Sequence, residues 1–386
     1  MDTKDLIKIE DDYFINTFTR QPIVLDHGEG VKVTDIDGNE YIDMFAGIAV
    51  NALGHNHQKL VGAIQKQAEK LIHISSIYYN EPALIYAKKL IDKTGFDRIF
   101  YANSGAEANE GAIKLAVKYT GKSEIISTVE SFHGRTLSTL AATGHEEYHE
   151  AFKEILPHNF INVEYNNIQA IRDAVTDNTA AIIIEPVQGE GGINIPDKDY
   201  FKQIEELCRE KSIVLIVDEV QTGFGRCGTL FAHELYDIKP DILTMAKAIG
   251  GGVPMGGILA TEEVSAGFVP GDHGTTFGGG PLVCAAANAV LDVIYEENLL
   301  NHVNEVGKYF LDELKKLDKD VIAEARGMGL MVGLELNKPG AEYVDKLREK
   351  GFLINCTAGN VLRFVPPLII SKAEIDEFIK ALDEVL

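Results

Sequence analysis

The chain has 386 residues, which is more than one typical hydrophobic core, so we expect two domains or one large domain with an appendage. Acidic residues outnumber basic residues 59 to 36, and a net charge of −23 repels phosphate backbones, so nucleic acid is not an expected partner. No apolar run reaches transmembrane length, the charged N-terminus is unlike a secretory signal, and four dispersed cysteines without a CxxC motif suit free thiols in a reducing cytoplasm.

The first segments of the chain predict an arm, a hairpin and a helix. Residues 1–20 are polar with scattered apolar side chains, which is typical of an arm with a short helix. Residues 30–43 alternate around Asp37-Gly38 and predict a hairpin with a two-residue turn. A helix is expected over residues 58–70.

A helix, a strand and a second helix are predicted over residues 83–92, 98–102 and 106–119. The segment NSGAEAN, residues 103–109, joins the strand to the second helix. A turn of small residues at a helix N-terminus exposes free backbone N–H groups, and the helix dipole favours an anion there. A phosphate fits this position, although a plain strand-to-helix turn explains the pattern equally well.

Two further patterns follow a strand predicted at residues 123–128. In SFHGRT, residues 131–136, Phe132 could stack on a ring and Arg135 could bind a carboxylate. Residues 145–149 match H-E-x-x-H, the zinc-protease pattern. We reject a zinc site because that motif needs a helix in a catalytic cleft and a third ligand, whereas Gly144 and the polar surroundings favour an exposed turn.

Three strands are expected to end at one edge of a parallel sheet. The first, residues 180–185, enters a glycine-rich loop containing Glu190, and with a helix at 200–211 and the next strand it forms a right-handed βαβ unit. The second, residues 213–217, is apolar and β-branched, reads as a buried strand and ends at Asp218.

The third strand, residues 241–246, delivers Lys247 to the same edge, ahead of three glycines. Open α/β sheets bind ligands at the carboxyl ends of their strands. An acid and an amine in this position suit pyridoxal phosphate chemistry, in which a lysine forms a Schiff base and an aspartate pairs with the ring nitrogen. The alternative is a sheet whose strand ends carry ordinary surface charges.

The rest of the chain predicts a second, smaller domain. Residues 223–228 match G-x-G-x-x-G but open no amphipathic helix, so we reject a dinucleotide site. A glycine-rich loop at 273–281 leads into a long helix, and from residue 299 helices and short strands alternate in an α+β pattern. We therefore expect an N-terminal arm and hairpin over residues 1–55 that join the small domain, a large cofactor-binding domain over 56–285, and the C-terminal small domain over 286–386.

Together these segments resemble the class III (fold type I) pyridoxal-phosphate-dependent aminotransferases, and within that family the N-acetylornithine aminotransferases most. The resemblance extends from residue 20 to residue 367. It implies a fold of the α/β class, with a large domain built on a mostly parallel sheet and a small α+β domain, and a homodimer with shared active sites. Its most specific segments are residues 103–109, 132–136, 185–191 and 217–223, and Lys247 before the three glycines.

The resemblance also implies a role for individual residues. Lys247 corresponds to the Schiff-base lysine and Asp218 to the partner of the pyridine nitrogen. The other implied cofactor contacts are the amides of Gly105 and Ala106 on the phosphate, Phe132 and Val220 on the ring faces, Gln221 beside the 3-hydroxyl, and Thr276 on the phosphate of the other subunit. The implied substrate contacts are Arg135 and Arg363 on carboxylates, Glu190 covering Arg363, and Thr275 and Phe18.

The implied reaction moves the terminal amino group of N2-acetyl-L-ornithine to 2-oxoglutarate in arginine biosynthesis, giving N-acetyl-L-glutamate 5-semialdehyde and L-glutamate. Aminotransferases for ornithine, succinyl-ornithine, succinyl-diaminopimelate or 4-aminobutyrate remain alternatives, as do a pyridoxal-phosphate decarboxylase or racemase and a non-catalytic protein of the same fold. Two residues depart from the family pattern. Phe18 stands where ornithine-type enzymes often have tyrosine, and Gly280 replaces a common asparagine.

Overall fold

A computed structural model describes residues 1–386. The helices are α1 Thr3–Tyr13, α2 Ala46–Ala49, α3 Gln58–Ala68, α4 Glu81–Thr94, α5 Gly105–Thr120, α6 Leu137–Ala142, α7 Glu146–His149, α8 Ile168–Ala174, α9 Tyr200–Lys211, α10 Glu262–Ser265, α11 Pro281–Glu296, α12 Leu299–Leu314, α13 Ala341–Glu349 and α14 Lys372–Val385. The strands are β1 Leu25–Glu29, β2 Lys32–Asp35, β3 Glu40–Asp43, β4 Arg98–Ala102, β5 Glu124–Thr128, β6 Phe160–Val163, β7 Thr179–Ile184, β8 Val214–Asp218, β9 Ile242–Met245, β10 Gly256–Ala260, β11 Ile322–Met328, β12 Met331–Leu336, β13 Phe352–Leu353, β14 Asn355–Thr357 and β15 Val361–Phe364.

A seven-stranded sheet of order β4-β10-β9-β8-β7-β5-β6 forms the centre of the molecule. Only β10 runs antiparallel to its neighbours, and the pairs from β9 to β6 are all parallel. Every residue of β7 and β8 is buried, as their Val- and Ile-rich sequences predict for strands covered on both faces. Because these strands are parallel, the residues that follow them gather at one edge of the sheet.

Two smaller sheets carry the remaining strands. In the order β1-β2-β3-β13, the C-terminal strand β13 pairs in parallel with β3, with Phe352 opposite Ile42 and Leu353 opposite Asp43. In the order β11-β12-β15-β14, every pair is antiparallel, and Arg363 of β15 lies opposite Gly333 of β12. One large apolar cluster joins residues of both chain ends to residues of the central region.

The predicted hairpin is present, but its turn is wider than the two residues expected. The backbone N–H of Asp35 donates to the carbonyl of Asn39 at 3.0 Å, so the loop closes outside Asp37-Gly38. The Asp35 carboxylate accepts hydrogen bonds from the backbone N–H groups of Asp37 at 3.0 Å and Asn39 at 2.8 Å. These side-chain bonds stabilise the wider loop, as is common for aspartate in turns.

The two rejected motifs have ordinary backbone structures. Residues 223–228 form successive turns after β8 and begin no helix, which confirms the prediction for that segment. Glu146 to His149 form the single helical turn α7, so the prediction of a plain turn there was wrong.

None of the helices combines the length and apolar composition that crossing a membrane requires. All four cysteines are free thiols.

Candidate active site

A cavity of about 410 Å³ lies at the carboxyl edge of the parallel strands. Most of the site residues predicted from the sequence line it. They are Gly105, Ala106, Phe132, Arg135, Glu190, Asp218, Val220, Gln221 and Lys247. Arg363 lies outside the lining but bonds to two of its residues, Glu190 and Gln221.

Lys247 enters the cavity two residues after β9 ends. Its backbone has a φ of 50°, a left-handed conformation that is uncommon for a residue with a side chain. The residue is half-buried, and its amine makes no hydrogen bond to another residue of the chain. Burial lowers the pKa of this amine, and Arg363 lowers it too, although Glu190 and Asp218 oppose the shift. A larger fraction of the Lys247 amine is therefore neutral, and the neutral amine is the form that acts as a nucleophile and as a base.

Three donors fix the carboxylate of Asp218 at the end of β8. Its Oδ2 accepts hydrogen bonds from Asn109 Nδ2 at 2.7 Å and His133 Nδ1 at 2.8 Å. Its Oδ1 accepts one from the backbone N–H of Val220 at 3.0 Å. The hydroxyl of Thr244 donates to Asn109 Oδ1 at 2.7 Å and so sets which way that amide points. The carboxylate is therefore held in one orientation toward the cavity.

Neither Asn109 nor His133 was predicted to have a role in the site. Both lie inside motifs that were recognised, one on α5 and one beside Phe132. Asn109 stands four residues after Gly105, so the two residues share a face of the helix. Asn109 could have been identified from its place on the helix face that meets the predicted site. A buried amide there needs hydrogen-bond partners, and the site residues are the nearest candidates.

The N-terminus of α5 supplies an anion site. Ser104 caps the helix by accepting a hydrogen bond from the N–H of Glu107, and the next two residues, Gly105 and Ala106, line the cavity. The first N–H groups of a helix have no intrahelical partner and carry the positive end of its dipole. A Cβ on Gly105 would approach Val220 Cγ1 to 2.8 Å, so this close contact between α5 and the residues after β8 requires glycine.

Glu190 and Arg363 form a buried ion pair next to Lys247. Arg363 NH1 donates to Glu190 Oε1 at 2.5 Å, and the arginine side chain is 1% exposed. The same nitrogen donates to the Gly189 carbonyl at 3.2 Å and to Gln221 Oε1 at 3.3 Å. Burial opposes the negative charge of Glu190, but Arg363 outweighs it, so the pKa of Glu190 lies below its usual value. The pair is thus charged and closed.

Glu185 connects the loops that carry Phe132 and Glu190. Its carboxylate accepts hydrogen bonds from the backbone N–H of Phe132 at 3.0 Å and of Gly189 at 3.3 Å. Burial raises its pKa to about 7, with Asp218 adding to the rise and His133 opposing it. The sequence placed Glu185 at this edge without a function, and the structure shows it holding two loops of the site together.

Arg135 presents an exposed guanidinium at the cavity. It forms no ion pair and no side-chain hydrogen bond with another residue of the chain, and instead lies over two aromatic rings. The guanidinium carbon is 3.6 Å from the ring centroid of Tyr148 and 5.5 Å from that of Phe132. Its N–H donors therefore remain available for a carboxylate, and the carboxylate-binding role of this residue stays a prediction.

Three predicted residues do not reach the cavity of their own chain. Thr276 is exposed, and Thr275 is half-buried with its hydroxyl accepting a hydrogen bond from Asn103 Nδ2 at 2.9 Å. Phe18 is 70% exposed in the N-terminal arm, where Arg20 lies 5.4 Å above its ring. Within a single chain none of the three lines the cavity, and only Thr275 bonds to a residue that does, Asn103.

The cavity residues fit pyridoxal phosphate. The free N–H groups of α5 suit its phosphate, the fixed carboxylate of Asp218 suits its protonated ring nitrogen, and the unpaired amine of Lys247 suits its aldehyde carbon. When bound, the cofactor withdraws electrons from the substrate carbon whose bond is broken. The protein supplies the rest: Lys247 can move the proton at that carbon, Asp218 can hold the proton on the ring nitrogen, and Arg135 can orient a substrate carboxylate.

Comparisons with known proteins agree with this site. The family described as "Aminotransferase class-III" matches residues 15–386. The acetylornithine aminotransferases of Methanothermobacter thermautotrophicus and Methanocaldococcus jannaschii are 53% and 54% identical, each over 100% of this chain and over 99% and 98% of their own lengths.

A solved structure of the ornithine aminotransferase from Toxoplasma gondii, with partial occupancy of pyridoxal phosphate, superimposes with a TM-score of 0.96 at 33% identity, over 99% of this chain and 93% of that one. The fold type predicted from the sequence is therefore confirmed. A match of this extent, around an amine, an acid and an anion site at one sheet edge, places the chain in the class-III aminotransferases, a family of pyridoxal-phosphate enzymes.

Proposed function

We propose that this enzyme transfers the terminal amino group of N2-acetyl-L-ornithine to 2-oxoglutarate, as a step of arginine biosynthesis in the cytoplasm. The proposal rests on relatives of about 50% identity that match nearly the whole chain, all of which are named acetylornithine aminotransferase. The closed Glu190–Arg363 pair supports it, because a site with a covered second arginine suits two alternating substrates.

The two arginines serve different carboxylates. Acetylornithine reacts at its terminal amine, so its carboxylate lies far from the reacting carbon and binds Arg135. Its uncharged chain then passes Arg363, which would be a costly unpaired buried charge if Glu190 did not neutralise it. Glutamate reacts at its α-amine and carries a carboxylate at each end. Glu190 moves aside for the near one, which binds Arg363, while the far one binds Arg135.

The amides of Gly105 and Ala106 would hold the phosphate of the cofactor in the cavity. Lys247 is its covalent attachment point, and Asp218 is the partner of its ring nitrogen. Phe132 and Val220 would cover the ring faces, and Gln221 would contact the ring hydroxyl. In support of this arrangement, all of these residues line one cavity, and they follow the ends of β5, β8 and β9 or belong to the α5 N-terminus.

The active unit is a homodimer in which each subunit completes the other's site. Thr275 and Thr276 act on the neighbouring subunit's cofactor and substrate, and Phe18 contacts the substrate. In support, Thr276 and Phe18 are exposed outside their own cavity. Large apolar side chains are also exposed in the single chain, namely Phe277, which follows Thr276, at 64%, and Ile77 and Tyr79 at 82% and 91%. Burial against a second copy would remove this apolar surface from water.

The chain divides into the arm and hairpin of residues 1–55, the large domain of 56–285 and the small domain of 286–386. The pairing of β13 with β3 supports assigning the hairpin to the small domain, because both chain ends then share one sheet. The central seven-stranded sheet is built entirely from strands between residues 98 and 260, which supports the bounds of the large domain.

A panel of amino donors tests the proposed substrate. The holoenzyme is assayed with 2-oxoglutarate and, in turn, acetylornithine, ornithine, succinyl-ornithine, succinyl-diaminopimelate and 4-aminobutyrate, with Lys247→Ala as the background control. We expect acetylornithine to give the highest kcat/KM. A higher kcat/KM for another donor of the panel would assign the enzyme to that donor instead.

A further inference from the structure

The guanidinium of Arg135 belongs to a stack of four side chains. The ring of Tyr148 lies 3.6 Å from the guanidinium carbon on one side, and the ring of Phe132 lies at 5.5 Å. The ring of His145 continues the stack, with its centroid 5.0 Å from that of Tyr148 and the planes inclined by 30°. We call His145, Tyr148, Arg135 and Phe132 the arginine stack. Its members Arg135 and Phe132 line the cavity.

The H-E-x-x-H segment anchors this stack to the protein. His149 Nε2 donates a hydrogen bond to the carbonyl of Leu140 at 2.7 Å, which ties α7 to α6. The Tyr148 ring packs against the buried cluster of Leu140, Ala141 and Leu156. The ring beside Arg135 is thus held from behind by apolar contacts, so its position does not depend on the substrate.

Three acids of the neighbouring elements are already engaged elsewhere. Glu110 accepts hydrogen bonds from the Thr136 hydroxyl at 2.6 Å and the Ser138 N–H at 3.1 Å. Glu147 contacts His145, and Glu190 pairs with Arg363. Arg135 consequently differs from Arg363. A carboxylate holds Arg363, whereas an aromatic face holds Arg135.

We propose that Tyr148 is a positioning residue that orients Arg135 and thereby sets the enzyme's selectivity for substrates with a distal carboxylate. An aromatic face attracts a guanidinium through its π electrons and uses none of the N–H donors at the guanidinium edge. Those donors stay free for a bidentate bond to a carboxylate. An acidic partner would fix Arg135 equally well but would compete with the substrate. This inference rests on the proposed role of Arg135 as a carboxylate-binding residue.

The test measures carboxylate binding in the holoenzyme. Glutarate, which carries the two carboxylates of 2-oxoglutarate without its reactive carbonyl, is titrated by calorimetry, and KM and kcat are determined for 2-oxoglutarate. Tyr148→Leu is expected to weaken glutarate and raise KM by about three- to thirty-fold, the range of a cation–π contact, with kcat within about two-fold. Tyr148→Phe, which keeps the ring, is expected to restore most of the affinity.

Two controls separate positioning from general packing. Phe160→Leu removes a ring that packs on the same apolar cluster but does not lie on Arg135, and it is expected to leave glutarate binding unchanged. A primary amine of similar length without a carboxylate should react equally well with the parent enzyme and with Tyr148→Leu. If Tyr148→Leu does not fold, Tyr148→Met is measured in its place with the same expectation.

Arg135→Gln distinguishes a failure of this inference from a failure of the proposed function. If Arg135→Gln leaves glutarate affinity unchanged, Arg135 is not the carboxylate site, and both the proposed role and the inference are overturned. If Arg135→Gln abolishes binding while Tyr148→Leu behaves like Phe160→Leu, only the inference is overturned. Equal slowing of carboxylate-bearing and carboxylate-free amines by Tyr148→Leu also overturns it, because the ring would then have a general structural role.

Discussion

Lys247 combines a left-handed backbone with an amine that the rest of the chain leaves unpaired. A non-glycine residue in this conformation costs roughly 1–3 kcal/mol and persists where the surrounding structure imposes it. In this protein the preceding strand β9 and the short helical turn after it are both buried, so the lysine has little freedom to relax. The strained residue is the one to which the proposed function assigns the chemistry.

Replacing Lys247 tests its role directly. Lys247→Ala is expected to keep its fold and to lose turnover by a factor on the order of a thousand or more, because both the attachment point and the proton carrier are gone. Borohydride reduction of the parent holoenzyme followed by peptide mapping should place the cofactor on residue 247. A label on another lysine would show that the attachment point has been assigned wrongly.

Removing Glu190 should separate the two half-reactions. In Glu190→Ala, Arg363 stays open, so glutamate is expected to react at least as fast as in the parent enzyme. The acetylornithine half-reaction should slow by about ten-fold or more, because its apolar chain meets an unpaired guanidinium whose burial costs several kcal/mol when complete. Single-turnover rates of each half-reaction, followed by the cofactor's visible absorbance, provide the measurement. Equal slowing of both would make Glu190 a structural acid.

At the residue scale, the sequence predicted the reacting groups better than their supports. Lys247, Asp218 and Arg135 carry distinctive chemistry at strand ends or in a motif, and the structure brings them to one cavity. Asn109 and Tyr148 were not predicted. Their roles depend on which side chains meet across elements distant in sequence, and no local pattern encodes that contact.

The loop that carries Glu190 is held by an arginine from a different sheet. Arg326 of β11 donates to the carbonyl oxygens of Gly192, at 2.7 Å, and Ile193, at 3.1 Å. The same side chain pairs with Glu324 at 2.8 Å and with Glu335. The position of the Glu190 loop is thereby connected to the β11–β12 sheet, whose next strand carries Arg363.

Arg326→Met should loosen that loop. Loss of charged hydrogen bonds from a mostly buried guanidinium is expected to lower the free energy of unfolding by about 1–3 kcal/mol. It should also speed amide hydrogen exchange across residues 189–193. Arg98→Met serves as the matched control, because Arg98 also lies on a strand but pairs with Glu262 at the surface, where such pairs contribute about 0–1 kcal/mol. Unchanged exchange in Arg326→Met would contradict the anchoring role.

Elements with a clear apolar pattern were predicted to within a few residues, as for β4, α5 and α9. The strands β10 and β11 were not predicted. β10 begins with two glycines, and β11 carries Glu324, Arg326 and Gly327, compositions that local strand propensity disfavours. β10 pairs with β4, which is distant in sequence, and β11 pairs with β12 across a tight turn. For both strands, pairing with a neighbour in the sheet outweighs the local conformational preference of the sequence.

For the whole molecule, the shared site predicts complementation between inactive subunits. If Thr276 acts on the neighbouring subunit's cofactor, a mixture of Lys247→Ala and Thr276→Ala subunits contains heterodimers with one site free of both changes. After denaturation and joint refolding, random pairing should restore about a quarter of the parent activity above the sum of the separate variants. Heterodimers with no gain would show that each site is complete within its own chain, and analytical ultracentrifugation of the parent protein checks for the dimer itself.

The pairing of β13 with β3 sets an order of events during synthesis on the ribosome. The hairpin of β2 and β3 is translated well before its parallel neighbour, Phe352–Leu353, which lies about 310 residues further along the chain. At about 5–20 residues per second, the exposed edge of β3 waits tens of seconds for its partner. Throughout that interval Tyr41 and Ile42, buried in the finished protein, lack part of their cover. The nascent chain therefore exposes an unpaired strand edge that can associate with other chains until β13 pairs with it, and binding by a chaperone would prevent such association.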